Sequence, residues 1–335
     1  MSQLDIIIPT LNEERRLSQC LDSIFAQDIP HGTRLTVTVV DAGSTDDTLA
    51  IAAAAGVPVL DNSLLKDPEA AKMIGLRSAK GDFLLFMDAD MSCATPGTLY
   101  RLLDRLLSDD TLAGAFGRYE PRVGDVAINR ALSMNPMQCD PFYQAFVPDL
   151  PLDSGLLKFD KRGVCVPPIA GTCMFRTKYI RASAPYVDRY FDVDTPVHLA
   201  VAGFNKFYYE RGATFYHGHI STISELVGKR LRNLDNGRGN GLFTEQRVPR
   251  VFRWIAIERF GFLTTVLRAI AALTGFPLVP RAILKMKRYN DTAALLEPCL
   301  GVVVGWTVLW GTVRSKRGWS WALASIFRAG KSDVE

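Results

Sequence analysis

The chain has 335 residues, 48% of them hydrophobic, and a formal net charge of +4, enough for one large domain with an appendage or for two domains. So small a net charge, with no stretch interleaving basic and aromatic residues, argues against a nucleic-acid partner. Six scattered cysteines (Cys20, Cys93, Cys139, Cys165, Cys173, Cys299) without a CxxC pair disfavour zinc and disulfide frameworks and suit a reducing cytosol.

Leu4–Pro9, LDIIIP, is a β-branched apolar run that reads as a buried strand ended by Pro9. No basic region and apolar core precede it, so no secretory signal is expected. Thr10 or Asn12 can cap a following helix, where Leu17, Leu21, Ile24 and Phe25 fall at helical spacing. Leu35–Val40 is the next strand. It runs into DAGSTDDT, where Gly43 permits a tight turn and Ser44, Thr45 and Asp46 offer caps for a helix through Ala55. Val57–Leu60 predicts a short strand and Ala70–Lys80 a helix. Then comes FLLFMDAD: the run Phe83–Met87 reads as a strand buried on both faces, ending in two carboxylates, Asp88 and Asp90. Pro96, with Leu99, Leu102, Leu103 and Leu106, marks an amphipathic helix behind that pair. Strands and helices that alternate in this way imply an α/β fold with a doubly wound, mostly parallel sheet and flanking helices.

After a strand at Ala113–Tyr119, prolines at 136, 141, 148, 151, 167 and 168 punctuate a long segment with little periodicity, the pattern of a binding loop. Thr172–Phe175 and Phe207–Tyr209 read as strands, with a helix at Thr195–Ala202 between them and another at Ser221–Leu234. NGRGNG then closes a globular region of about residues 1–240, whose halves divide near residue 115. Residues 241–335 form an expected helical tail. Phe260–Pro280 is nearly uncharged apart from Arg268, and Cys299–Val313 is uncharged with two tryptophans. Basic residues separate the two stretches (Arg281, Lys285, Lys287, Arg288) and follow them (Arg314, Lys316, Arg317). A two-span hairpin would carry the first cluster across a membrane, against the positive-inside tendency. In-plane or re-entrant helices keep every cluster on one side. The expectation is a membrane-associated tail at the cytoplasmic face, peripheral or monotopic in preference to a C-terminal hairpin. A helical dimerisation module is the alternative.

Three predicted strand ends, Pro9-Thr10, Asp41 and Asp88-x-Asp90, meet on one edge of the sheet, where open α/β sheets bind ligands. In an extended chain Asp88 and Asp90 share one side. Two hard oxygen ligands suit Mg2+ or Mn2+. Neither GxGxxG nor GxxxxGK[ST] occurs, so phosphate charge must be met by a metal and by basic residues, with Lys72 the nearest candidate.

IIIPTLNEE (6–14), VVDAGSTDDT (39–48) and AKGDFLLFMDAD (79–90) together resemble the signature of family 2 glycosyltransferases of the GT-A fold. The resemblance is specific over about residues 4–110 and weaker to about 235. It implies a nucleotide-sugar donor, a UDP-sugar by preference, a divalent metal held by the Asp-x-Asp, and transfer with inversion at the anomeric carbon. By the same resemblance Pro9, Thr10, Glu13 and Asp41 lie around the nucleoside and Lys72 approaches the diphosphate. Asp90 ligates the metal, and Asp88 contacts ribose, bound water or the metal. Ala42 and Lys72-Met73 depart from the family's usual second acid and Arg-Asn, which leaves the base of the nucleotide open.

Inverting transfer needs a general base for the acceptor hydroxyl. The family supplies it from an acidic pair before a helix, which FDVDTPVHLAVAGF (191–204) resembles; Asp194 is the first candidate, Asp192 its rival, and Asp194 is equally well placed to cap the helix. FYHGH (215–219) resembles the segment that completes the metal shell, with His217 preferred to His219. Lys229, Arg230 and Arg232 could meet diphosphate or a lipid headgroup, or simply face solvent. The processive Gln-x-x-Arg-Trp motif is absent, which favours a single transfer. The expected acceptor is lipid-linked or another membrane-proximal glycan. A polyprenyl-phosphate acceptor, an inactive nucleotide-sugar-binding protein and a nucleotidyltransferase are the alternatives.

Overall fold

Nine strands of the computed structural model form one sheet among the described residues, which are 1–135, 141–142, 144, 150–159, 169–183, 189–218, 220–235, 261–315 and 319. His219, Lys316, Arg317, NGRGNG and most of the proline-punctuated segment lie outside them. In chain order the strands are β1 (Ser2–Thr10), β2 (Thr33–Asp41), β3 (Val59–Asp61), β4 (Phe83–Phe86), β5 (Met91–Cys93), β6 (Gly114–Tyr119), β7 (Gly155–Lys158), β8 (Cys173–Arg176) and β9 (Lys206–His217). They lie across the sheet in the order β3-β2-β1-β4-β8-β6-β9-β5, with β7 also on β9. Strands β1 to β4 pair in parallel, β8 runs against β4 and β6, and β6 pairs in parallel with β9. Six strands therefore share a direction and β5, β7 and β8 oppose it, the mostly parallel sheet expected.

The first half follows from its apolar runs. Leu4, Ile6 and Ile8 of β1 enter one core with Leu85, with Leu17, Cys20, Leu21 and Ile24 of α1 (Leu17–Phe25), and with Leu99, Leu102, Leu103 and Leu106 of α4 (Thr98–Ser108). On the opposite face Ile7 meets α3 (Pro68–Ser78) at Gly75, where an added Cβ would lie 2.2 Å from Ile7 Cγ2. Only glycine lets α3 approach β1 so closely. Asp67, not Ala70, opens α3: its Oδ1 accepts from Ala70 N at 2.8 Å, and Pro68 occupies the first turn. Pro9 does not end β1. It lies opposite Val40 in the parallel register with β2; toward β4 the last ladder bond is Met87 N to Ile7 O, and Pro9, with no N–H, ends that pairing but not the strand. A short helix, α2 (Thr48–Ala54), follows β2.

The second half departs further from expectation. The three-residue strand foreseen at Phe207–Tyr209 is the start of the 12-residue β9. Arg211 and Gly212 interrupt its apolar pattern, and the β6–β9 register shifts across them. Strands β5 and β7 were not foreseen, because each is too short to show a period and is held only by pairing with β9. Helices α6 (Thr177–Ser183) and α7 (Thr195–Val201) complete this part.

Contacts divide the chain into two units. The sheet belongs to the first: Met1–Glu120, Pro151–Lys161 and Pro168–His217. The second takes Pro121–Leu150, Arg162–Pro167 and Gly218–Glu335. Its described helices are α5 (Ala127–Ser133), α8 (Ile223–Asp235), α9 (Phe262–Thr274), α10 (Val279–Tyr289) and α11 (Glu297–Arg314). α11 packs on α8 and α9, while Met134, Ala293 and Ala294 form a small core beside α5. Arg130 Nε meets Asp291 Oδ2 at 2.7 Å and Lys285 Nζ meets Glu297 Oε1 at 2.8 Å.

Candidate active site

The C-terminal ends of β1 and β2 are tied at one corner. Thr10 and Asp41 stand opposite each other in register, and Thr10 Oγ1 donates to Asp41 Oδ1 at 2.9 Å. Ser44 Oγ donates to the same oxygen at 2.5 Å, while the backbone N–H groups of Gly43 and Ser44 donate to Asp41 Oδ2 at 2.9 and 2.8 Å. Burial alone would raise the Asp41 carboxyl pKa; the bonds from Ser44, Thr10 and Gly43 outweigh it and hold the group below its ordinary value. Gly43 has φ 89°, the left-handed turn that its sequence context implied.

The two loops beyond this corner are laced together. Asn12 N donates to Ser44 Oγ at 2.8 Å, Thr45 N to Asn12 Oδ1 at 2.9 Å, Glu13 N to Thr48 Oγ1 at 2.7 Å and Glu14 N to Asp46 Oδ2 at 3.1 Å. Asn12, itself at φ 57°, is thus a latch between loops, and α1 begins at Leu17 without a side-chain cap. Composition offered Asn12, Ser44 and Thr45 as caps because Asn, Ser and Thr bond local backbone readily. Only the parallel pairing of β1 with β2 brings the loops together.

Beyond β4 the chain turns, with Met91 N donating to Asp88 O at 2.9 Å, and enters β5. There Met91 pairs antiparallel with His217 at the end of β9. This brings His217 Nε2 within 3.0 Å of Asp90 Oδ1. Asp88, Asp90 and His217 each present one ligand atom, and all three atoms lie within 4.8 Å of one another. Ala89 points into the core at 3% exposure; the Asp88–Met91 turn, not an extended strand, sets the two carboxylates on the same side. Tyr119 stacks on His217 with ring centroids 5.3 Å apart and donates to Met91 Sδ at 3.7 Å. Burial pushes the Tyr119 phenol far up, and Asp88 and Asp90 add to it, so the ring stays neutral. Arg16 Nη1 lies 3.9 Å from Asp90 Oδ2 and 4.0 Å from Glu13 Oε2. Burial first, then Asp90, raise Glu13 to about 7.

Lys72 sits on α3 one turn before Gly75. Its Nζ donates to Asp192 Oδ2 at 2.8 Å and lies 3.7 Å from Asp88 Oδ1. Burial alone would lower its pKa; Asp192 and then Asp88 outweigh that and raise it, so Lys72 is a buried cation. Asp192 and Asp194 bracket a 3-10 turn that leads into α7, and both are buried. The Asp194 carboxylate makes no cap bond to α7. Thr195 instead donates from Oγ1 to Tyr190 Oη at 2.6 Å, and Tyr190 packs on Phe86 with ring centroids 4.7 Å apart. The Lys72–Asp192 contact spans 120 residues of sequence and left no local signal. Arg16 and Tyr119 were not foreseen either, since each reaches the site only through the sheet's tertiary pairing.

A family model described as "Glycosyl transferase family 2" matches residues 5–181, more than half of the chain. The chain belongs to glycosyl transferase family 2. Among curated family members, poly(ribitol-phosphate) beta-N-acetylglucosaminyltransferase TarS of Staphylococcus aureus is 36% identical over 100 residues, covering 27% of this chain and 16% of the relative. Glucosyl-3-phosphoglycerate synthase of Mycolicibacterium paratuberculosis is 31% identical over 131 residues, 36% of this chain and 39% of the relative. These alignments therefore span well under half of each relative. Among solved structures, the mannosyltransferase PcManGT from Pyrobaculum calidifontis, in complex with GDP-Man and Mn2+, superposes with a TM-score of 0.56 at 16% identity, over 93% of this chain and 88% of that one. At that identity the likeness is one of fold, and the fold is GT-A, as the sequence motifs implied.

Proposed function

We propose that this family 2 member is an inverting glycosyltransferase that moves a sugar from a nucleotide-diphosphate donor to a hydroxyl of a lipid-linked or membrane-proximal acceptor. The observation that carries this reading is the convergence of Asp88, Asp90 and His217 beside the Thr10–Asp41 corner. Two carboxylates and an imidazole fit a divalent cation, with Mn2+ favoured over Mg2+ by the nitrogen ligand. When bound, the cation would offset the charge that develops on the diphosphate leaving group. Pro9, Thr10, Glu13 and Asp41 would enclose the nucleoside, and Lys72 would add positive charge at the diphosphate. UDP is the preferred nucleotide.

The acceptor hydroxyl must lose a proton as it attacks. Asp194 is the proposed base, and its ion-paired neighbour supports the choice. Asp192 is engaged by Lys72 at 2.8 Å, which leaves it committed to that contact. The membrane-proximal acceptor rests on the second unit, where Thr292–Arg314 is long and apolar enough, by length and composition, to cross a bilayer.

The test is a screen of UDP-, GDP- and dTDP-sugars with Mn2+ or Mg2+, read by thermal shift and by donor hydrolysis. One donor class should raise the melting temperature and be hydrolysed only when the cation is present. Silence with every donor would sink the enzymatic reading. Asp194→Asn then separates acceptor types: transfer to a hydroxyl should collapse, whereas transfer to a phosphate, which needs no strong base, should survive.

A further inference from the structure

Helix α10 turns Arg281 and Lys285 inward beside Ala282, Met286 and Tyr289, and turns Ile283 and Leu284 outward. Arg281 Nη1 donates to the Gln144 carbonyl at 3.2 Å, and Lys285 Nζ reaches Glu297 Oε1 at 2.8 Å, with the Glu297 side chain 1% exposed. On the other face Ile283 and Leu284 are 40% and 67% exposed, and Phe276, just before the helix, is 77% exposed. A helix that faces only water keeps large apolar side chains such as Ile283 and Leu284 off its outer face. The outer face then changes character at its last turn, because Lys287 and Arg288, both exposed, follow Ile283 and Leu284 by four residues each. α9 and α10 meet at a 78° bend, made by Gly275 at φ 69°, and Phe276 stands at its corner. In α9, Leu263, Leu267 and Ile270 are exposed at helical spacing and extend the apolar surface.

We propose that this corner and the outer face of α10 are a docking surface for an anionic lipid bilayer. Phe276, Ile283 and Leu284 enter the acyl boundary while Lys287 and Arg288 sit at the phosphate level. Apolar residues graded into cations along one face match the layering of such a bilayer. A second copy of the chain would bring the same cations to the contact, which disfavours self-association. The inference deepens the membrane-proximal part of the proposed function.

The test is flotation of the full chain with phosphatidylcholine vesicles, with and without phosphatidylglycerol. The chain should float with the anionic vesicles and lose binding at high salt. Lys287→Gln/Arg288→Gln should weaken partitioning about 30-fold. Leu284→Ser and Phe276→Ser should each weaken it severalfold, with melting temperatures unchanged because the side chains are exposed. Flotation indifferent to phosphatidylglycerol, or variants that bind like the parent, would overturn the proposal. So would a soluble dimer that Leu284→Ser dissociates and that never floats. Flotation needs no turnover: a chain that floats yet hydrolyses no donor leaves the docking intact and removes only the enzymatic reading.

Discussion

Asp192 and Asp194 lie two residues apart, are both buried, and carry different surroundings. Lys72 holds Asp192, so Asp192→Asn should loosen Lys72 and raise the donor KM more than it lowers kcat. Asp194→Asn should lower kcat by about 10^2- to 10^4-fold and leave the donor KM nearly unchanged. Steady-state kinetics over both substrates would separate the two, and equal effects on kcat would dismiss the assignment. Asp41 gives a prediction that needs no activity. Its carboxylate accepts four hydrogen bonds from Thr10, Gly43 and Ser44. Asp41→Ala should cost about 1–3 kcal/mol in chemical denaturation. Because the folded pKa lies below the ordinary value of 3.8, this carboxyl contributes stability above that pH and loses it as pH falls through the folded value. A variant difference that vanishes under acid would be the signature.

Two elements position the site by close approach. α3 sits against β1 only because Gly75 has no side chain, and Lys72 rides on the same helix. Gly75→Ala should therefore destabilise the fold by about 1–3 kcal/mol and shift Lys72. A melting temperature like the parent's would contradict that packing. The β5–β9 pairing does for His217 what α3 does for Lys72, since antiparallel register sets His217 opposite Met91, next to Asp90. His217→Ala should raise the Mn2+ concentration for half-maximal activity by about tenfold or more, by loss of one metal ligand of a three-residue set. An unchanged metal dependence would place the imidazole outside the shell.

At the scale of the molecule, the second unit buries Leu226, Leu278, Leu300 and Val304 and adds ion pairs beside them. The Arg130–Asp291 pair is partly exposed, at 27% and 21% of the side chains. The hydrogen bond from Arg130 is the main cause that holds the Asp291 carboxyl below its ordinary value. Its contribution to stability is present above the unfolded carboxyl pKa and disappears as pH falls through the folded one. Arg130→Met should thus lower the melting temperature at neutral pH and match the parent near pH 2, which thermal unfolding at both values would check. The exposed apolar face of α10 belongs to this unit, and its prediction is vesicle binding, not fold stability.

Local chemistry determined much of this protein. A buried parallel strand needs a continuous apolar run and shows one, so β1, β2 and β4 were legible as strings of Ile, Val, Leu and Phe. The polar residues that end those runs, Thr10, Asp41, Asp88 and Asp90, marked the edge of the sheet proposed as the site. The motifs that follow them identified the family. Partners distant in sequence were not legible. Nothing near Lys72 announces Asp192, and nothing in the interrupted pattern of residues 206–217 announces a single long strand, because both exist only once non-local pairing has closed the sheet. The tail's hydrophobicity was plain in its composition. Which side of α10 is apolar to the outside was decided by tertiary structure alone, when Gln144 and Glu297 drew Arg281 and Lys285 inward.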